Sequence, residues 1–177
     1  SYWIKKNGVS AYFQTPKEDA ESRLIERVTE AFKDIPAYVP VATDFTHSDL
    51  LTVYGLMDLH VGQLSWARET RGPDYDLGLF QKDLTSSMDR LSSRVPASGH
   101  ALVVVGGDSL HAPNGSNETP AHKHKLSVDG RFEKIVDVAV EALVQSIEIL
   151  LTRHAKVSIV VVRGNHCEES HIVLKIA

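Results

Sequence analysis

Asp58-Leu59-His60, Gly106-Gly107-Asp108 and Gly164-Asn165-His166 each follow a short apolar run. An aspartate two residues from a histidine offers a hard oxygen beside a borderline nitrogen, a donor set suited to a catalytic divalent cation. Alternate residues of an extended strand point the same way, which predicts that Asp58 and His60 face one ion from a strand end. Asp108 stands after two glycines that let the backbone turn sharply and approach a ligand, so its carboxylate is placed to bridge two cations. Asn165 adds a neutral amide oxygen, and His166, one step on and facing away, suits proton handling better than ligation of the same ion. Taken singly, each triplet is ordinary turn chemistry. Three in succession, each closing a strand, outline an active site.

The elements that must position them are legible in the same stretches. Leu51 to Met57, Ala101 to Val105 and Lys156 to Val162 are rich in β-branched residues and nearly unbroken in hydrophobicity, which predicts parallel strands covered on both faces. Asp76 to Arg94 and Arg131 to His154 are long enough to be the crossover helices between them. The second carries Phe132, Ile135, Val136, Ala139, Leu143, Ile147, Leu150 and Leu151 as one broad stripe, expected to pack on the sheet. The fold class predicted is α/β, with a parallel β-α-β-α-β core. Right-handed crossovers bring every strand back in the same direction, so all three polar tails are expected at the carboxyl ends of the strands.

Residues 1–49 read as a lead-in: one or two short strands within Ser1 to Gln14, helical spacing over Lys17 to Lys33, and an extended connection from Ile35 to Ala42 that its prolines keep out of helix. Residues 50–177 read as the core. With 177 residues, 42% apolar and 24% charged, the composition suits a globular domain with a substantial interior. A net charge of −4 argues against a broadly basic nucleic-acid surface, although bound cations would alter the field within a cleft. The single cysteine, Cys167, excludes an internal disulfide framework. No bilayer-length apolar run or signal peptide is visible, so no membrane partner and a cytoplasmic location are expected.

In this order and spacing, the three motifs resemble the calcineurin-like metallophosphoesterase superfamily, whose signature runs Asp-x-His, Gly-Asp, Gly-Asn-His. The resemblance covers roughly Leu51 to His171. Asn117-Glu-Thr-Pro120 followed by Val128 to Lys134 is similar to a phage or prophage branch often grouped with DNA-repair exonucleases. The resemblance implies that Asp58 and His60 hold a first metal, that Asp108 bridges, that Asn165 holds a second and that His166 stands beside the leaving group as the catalytic histidine. It implies two divalent ions, manganese first, with iron, zinc or magnesium as alternatives. A hydroxide activated by both ions would then attack phosphorus in line. The expected function is that of a phosphodiesterase or nuclease acting on DNA. A phosphomonoesterase, or a metal-poor binding domain without turnover, is the alternative.

The family completes its site with three later histidines, one alone and a Gly-His-x-His pair, which have no match here. The reading is therefore a partial metallophosphoesterase sandwich, cut after the third motif. An exposed sheet edge and apolar face would follow, with self-association as the consequence. His111, three residues after Asp108, and Arg163 are auxiliary site candidates. His122, His124 and His171 read as solvated loop residues, and Glu168 to Ala177 as the beginning of a helix. The long loop from Ser109 to Gly130 is expected to be a lid or substrate-facing insertion. Lys123, Lys125 and Arg131 in or beside this loop, and Arg68 and Arg71 near the strand ends, are candidates for phosphate contact, with an ordinary solvated charge cluster as the alternative.

Overall fold

In the computed structural model, two helical crossovers return the chain so that three strands run parallel. The structure describes residues 2–6, 9–13, 26, 47–113, 115–119, 121–162 and 164. The chain divides into two compact units, Ser1–Ile35 with Ile176–Ala177, and Pro36–Lys175. In the first, β1 (Tyr2–Lys6) and β2 (Val9–Phe13) form an antiparallel hairpin in which Tyr2 lies opposite Phe13 and Lys6 opposite Val9. Of the helix expected over Lys17 to Lys33, only Glu26 is described. The extended connection expected from Ile35 to Ala42 and the helix from Glu168 lie outside the described residues, as do Cys167 and His171.

The second unit holds a parallel sheet of β3 (His47–Met57), β4 (Ser98–Gly106) and β5 (Lys156–Val161), in the order β3-β4-β5. The pairing runs in register from Leu51 beside His100 to Met57 beside Gly106, and from His100 beside Lys156 to Val105 beside Val161. Short helix α1 (Ala67–Thr70) and long helix α2 (Leu77–Arg94) lie between the first two strands, and α3 (Phe132–Leu151) between the last two. Local chemistry sets the helix bounds. Asp76 caps α2 by accepting the Leu79 N–H at 2.8 Å, and Asp129, from the distant loop, accepts the Leu77 N–H at 2.9 Å. The helix ends one residue short of Val95-Pro96, where proline disfavours a helical predecessor.

Both long crossovers run in the same sense along a monotonic strand order, so their helices share one face of the sheet. Tyr54, Leu56, Ala101, Val103 and Val105 are buried there with Leu77, Phe80, Leu84 and Met88 of α2 and Ile135, Ala139 and Leu150 of α3. The other face is open, which corrects the expectation of strands covered on both sides. Leu51, Val53 and Met57 of β3 and Val160 and Val162 at β5 are 45–57% exposed. Uninterrupted hydrophobicity reports an apolar environment on both faces without saying what supplies it. The α3 stripe is also rotated from its expected position. Ala142 and Ser146 are fully buried, whereas Leu143 and Ile147 are half-buried, because small residues allow close approach at the centre of the contact and larger ones flank it. The Ser146 hydroxyl is satisfied by donating to the Ala142 carbonyl at 2.7 Å.

At the amino-terminal end of the sheet, opposite the polar tails, a buried polar network joins three elements. His154 is fully buried; its Nε2 lies 2.8 Å from the Tyr54 hydroxyl, and its Nδ1 lies 2.9 Å from the Ser98 hydroxyl. The Ser98 N–H donates to the same Nδ1 at 3.3 Å, and the Ser98 hydroxyl lies 3.0 Å from that of Thr52. A backbone donor at Nδ1 assigns the ring proton to Nε2, which donates to Tyr54. Burial, the largest cause, holds the His154 imidazole below its ordinary value. The unfolded chain therefore takes up a proton on this residue at a higher pH than the folded chain does. The resulting stabilisation is complete above about pH 6.5 and is lost progressively as the pH falls below it. Urea midpoints at pH 7.5 and 5.5 should fall in that order for the native chain, with a smaller drop for His154→Gln, part of the remainder belonging to the half-buried His111. Equal drops in the two proteins would remove His154 from the linkage.

Candidate metal centre

The first two strand-end motifs are brought together by backbone as much as by side chains. β3 ends at Met57, and Asp58 and His60 both have left-handed backbone, with φ of 51° and 46°. A turn therefore replaces the alternation of an extended strand as the device that sets Asp58 and His60 around one point. Each such residue costs on the order of 1–2 kcal/mol, less for aspartate, and strain of this kind concentrates at functional sites. The turn is held by pairing that continues past the strands. Asp58 N–H donates to the Gly106 carbonyl at 3.0 Å, His60 N–H to Asp108 at 3.0 Å and Val61 N–H to Ser109 at 2.9 Å, while His111 N–H returns to Val61 at 2.9 Å.

Glycine is required where the two tails meet. Gly107 has φ +67°, and a Cβ there would overlap the Asp58 carboxylate, with Cγ 2.8 Å away. In its absence the Asp108 N–H donates to Asp58 Oδ1 at 3.0 Å, so one motif orients the carboxylate of the other. Gly106, by contrast, continues the strand. Gly164, the first residue of the third motif, is buried against the second, since a Cβ on it would come within 2.8 Å of Asp108 Oδ1. Asn165, His166 and Arg163, expected as ligand, catalytic histidine and auxiliary, lie outside the described residues.

Asp58, His60 and Asp108 each present a ligand atom within 4.8 Å of the other two. Asp58 is exposed, and His60 and Asp108 are half-buried, so the cluster opens to solvent. Two carboxylates and an imidazole from adjacent parallel strands fit a divalent cation by charge and donor type. Among the described residues three protein ligands converge, the number that catalytic centres use when they keep a position open. His60 Nδ1 is buried without a hydrogen-bond partner, so this ring has a nitrogen that protein contacts leave unspent.

His111 is more closely associated with the centre than its loop position suggests. Its ring lies edge-on to His60 with centroids 5.7 Å apart, and its Nδ1 is likewise buried without a partner. Burial first, and the His60 charge second, hold its imidazole below the usual range, so it is neutral at neutral pH. It does not complete the cluster, whose converging ligand atoms come from Asp58, His60 and Asp108. The contact was invisible in sequence because it depends on Val61 pairing with Leu110, an isolated parallel bridge beyond the strands.

The insertion after Asp108 is largely tied down. Glu118 pairs with Lys125 at 2.6 Å in a small antiparallel turn, and Leu126 N–H donates to Asn117 at 2.9 Å. Lys125 thus has a carboxylate partner, and Arg131 is the N-cap residue of α3. His122 and His124 are exposed, with ring centroids 5.8 Å apart. No family model, curated protein or solved structure matches the chain. Fold and site together define an α/β protein with a three-stranded parallel open sheet and a candidate cation-binding cluster at its carboxyl edge. No helix among the described residues is long and apolar enough to cross a membrane.

Proposed function

We propose that the protein is a metal-dependent phosphoester hydrolase of the calcineurin-like metallophosphoesterase type, acting as a phosphodiesterase or nuclease on DNA. The observation that supports this most is the convergence of Asp58, His60 and Asp108, from two strand ends fifty residues apart in sequence, on a cluster within 4.8 Å. Asp58 and His60 would hold one cation, with Asp108 between it and a second that Asn165 would complete. When bound, divalent cations supply Lewis-acid stabilisation of phosphoryl charge and a nucleophile from water at neutral pH. The chain's own contribution is placement. The Asp108 N–H fixes one Asp58 oxygen, and the paired loops hold His60, so little reorganisation is needed on binding. His166 would donate a proton or hydrogen bond to the departing oxygen. The open apolar face and the outer edges of β3 and β5, unpaired among the described residues, support self-association as a further part of this reading.

The test is hydrolysis of bis(p-nitrophenyl) phosphate and p-nitrophenyl phosphate with and without manganese. Manganese-dependent turnover favouring the diester is expected. Preference for the monoester would move the assignment to a phosphatase, and absence of turnover on both would leave a cation-binding domain.

A further inference from the structure

The segment after His60 ends in a feature that the proposed chemistry does not use. His60 C=O accepts the Gln63 N–H at 3.0 Å, closing a turn, and from Gln63 the chain runs extended to Trp66. This run is locked on its inner side. Gln63 bridges Val128, Leu64 N–H donates to Ser127 at 3.1 Å, and Ser65 and Tyr75 exchange backbone hydrogen bonds of 2.9 Å in both directions. Exposure alternates along it, so Leu64 and Trp66 project from the same side and are 42% and 51% exposed. The guanidinium of Arg68 stands 5.6 Å from the centroid of the Trp66 ring.

Exposed leucine and tryptophan on a run already fixed by backbone bonds to Ser127 and Tyr75 add little to folding. A half-exposed indole with a guanidinium over its ring matches the way single-stranded nucleic acid is held, by stacking of bases on aromatic rings and attraction of the backbone to arginine. Trp66 lies six positions after His60, a span of at most about 20 Å. A strand at ~3.4 Å per nucleotide covers that in about six nucleotides, and an extended strand in fewer. Resting on the proposed hydrolase reading, we infer that Trp66, flanked by Leu64 and Arg68, is a stacking platform for single-stranded DNA whose scissile phosphate lies at the Asp58 cluster.

Binding of fluorescently labelled dT12 in EDTA at low salt, followed by anisotropy, tests this without requiring turnover. Trp66→Ala should weaken binding about ten-fold, within the range for loss of one stacked base, and Trp66→Phe should retain most of the affinity. Arg68→Gln should weaken binding and flatten its salt dependence. Because Trp66 is half-exposed, urea midpoints of the variants should match the native chain and exclude misfolding as the cause. Native-like binding by Trp66→Ala, or no binding of dT12 by the native chain, overturns the platform. If dT12 binds through Trp66 while the native chain shows no manganese-dependent diester cleavage, the platform stands and the hydrolase reading falls.

Discussion

Asp58→Asn is expected to lose manganese binding and diester hydrolysis together while folding as the native chain does. The substitution is nearly isosteric, and the amide oxygen of asparagine can still accept the Asp108 N–H that Asp58 Oδ1 accepts at 3.0 Å. Asparagine also tolerates the left-handed backbone found at this position, where φ is 51°. Only the charge at the cluster changes. Loss of groups that merely orient metal ligands costs about 10–100-fold in affinity, so loss of a ligand's charge should cost at least about 100-fold. Thermal denaturation provides a readout independent of activity. Manganese at a hundred times its dissociation constant should stabilise the native chain by about 2.7 kcal/mol, and this increment should vanish in Asp58→Asn. Asp58→Ala should lose the same increment and in addition unfold more readily without metal, because alanine is strained at positive φ and accepts no hydrogen bond. A native metal-induced shift in Asp58→Asn would remove Asp58 from the centre.

The order and type of the principal core elements were readable because each has an unambiguous local signal. Valine and isoleucine runs mark β4 and β5, and the spacing of Leu77, Phe80, Leu84 and Met88 marks α2. Convergence of Asp58 with Asp108 followed from topology, since parallel strands joined by right-handed crossovers must end on one edge. The means of convergence did not follow. Left-handed backbone at Asp58 and His60 is stabilised by pairing with the Gly106 to Ser109 loop, a non-local interaction that strand periodicity does not encode. The same holds for the contact between His60 and His111, and for Asp129, which reads as an ordinary loop aspartate yet caps α2 from more than fifty residues away. The open sheet face was misread: periodicity predicted cover on both sides, whereas Val53 and Val160 are exposed.

Gly62→Ala should remove a large part of the chain's stability although it adds only one methyl group. Gly62 has φ +94°, and a Cβ built there lies 2.7–2.9 Å from three side-chain atoms of Ile135. Ile135 is 1% exposed, so its side chain has nowhere to retreat without displacing other core residues. Positive φ costs alanine roughly 1–2 kcal/mol, and forced overpacking typically about 1–3 kcal/mol. Their sum, about 2–5 kcal/mol, is a large fraction of the roughly 5–15 kcal/mol that stabilises an ordinary domain. With a urea dependence of about 1–3 kcal/mol per molar, the midpoint should fall by on the order of 1–2 M. Ile135→Ala removes the three atoms nearest the added methyl, so in that background the further cost of Gly62→Ala should shrink toward the backbone part. The double-mutant coupling isolates the clash from the strain. The consequence reaches the metal centre, because Gly62 lies two residues beyond His60 and its carbonyl accepts the Asp129 N–H at 2.9 Å. Displacing it shifts both the loop that presents His60 and the residue that caps α2. Manganese affinity should therefore fall in Gly62→Ala and recover partly in the double variant. An unchanged urea midpoint in Gly62→Ala would show that the turn after His60 is free to move, contrary to the rigid support required of it.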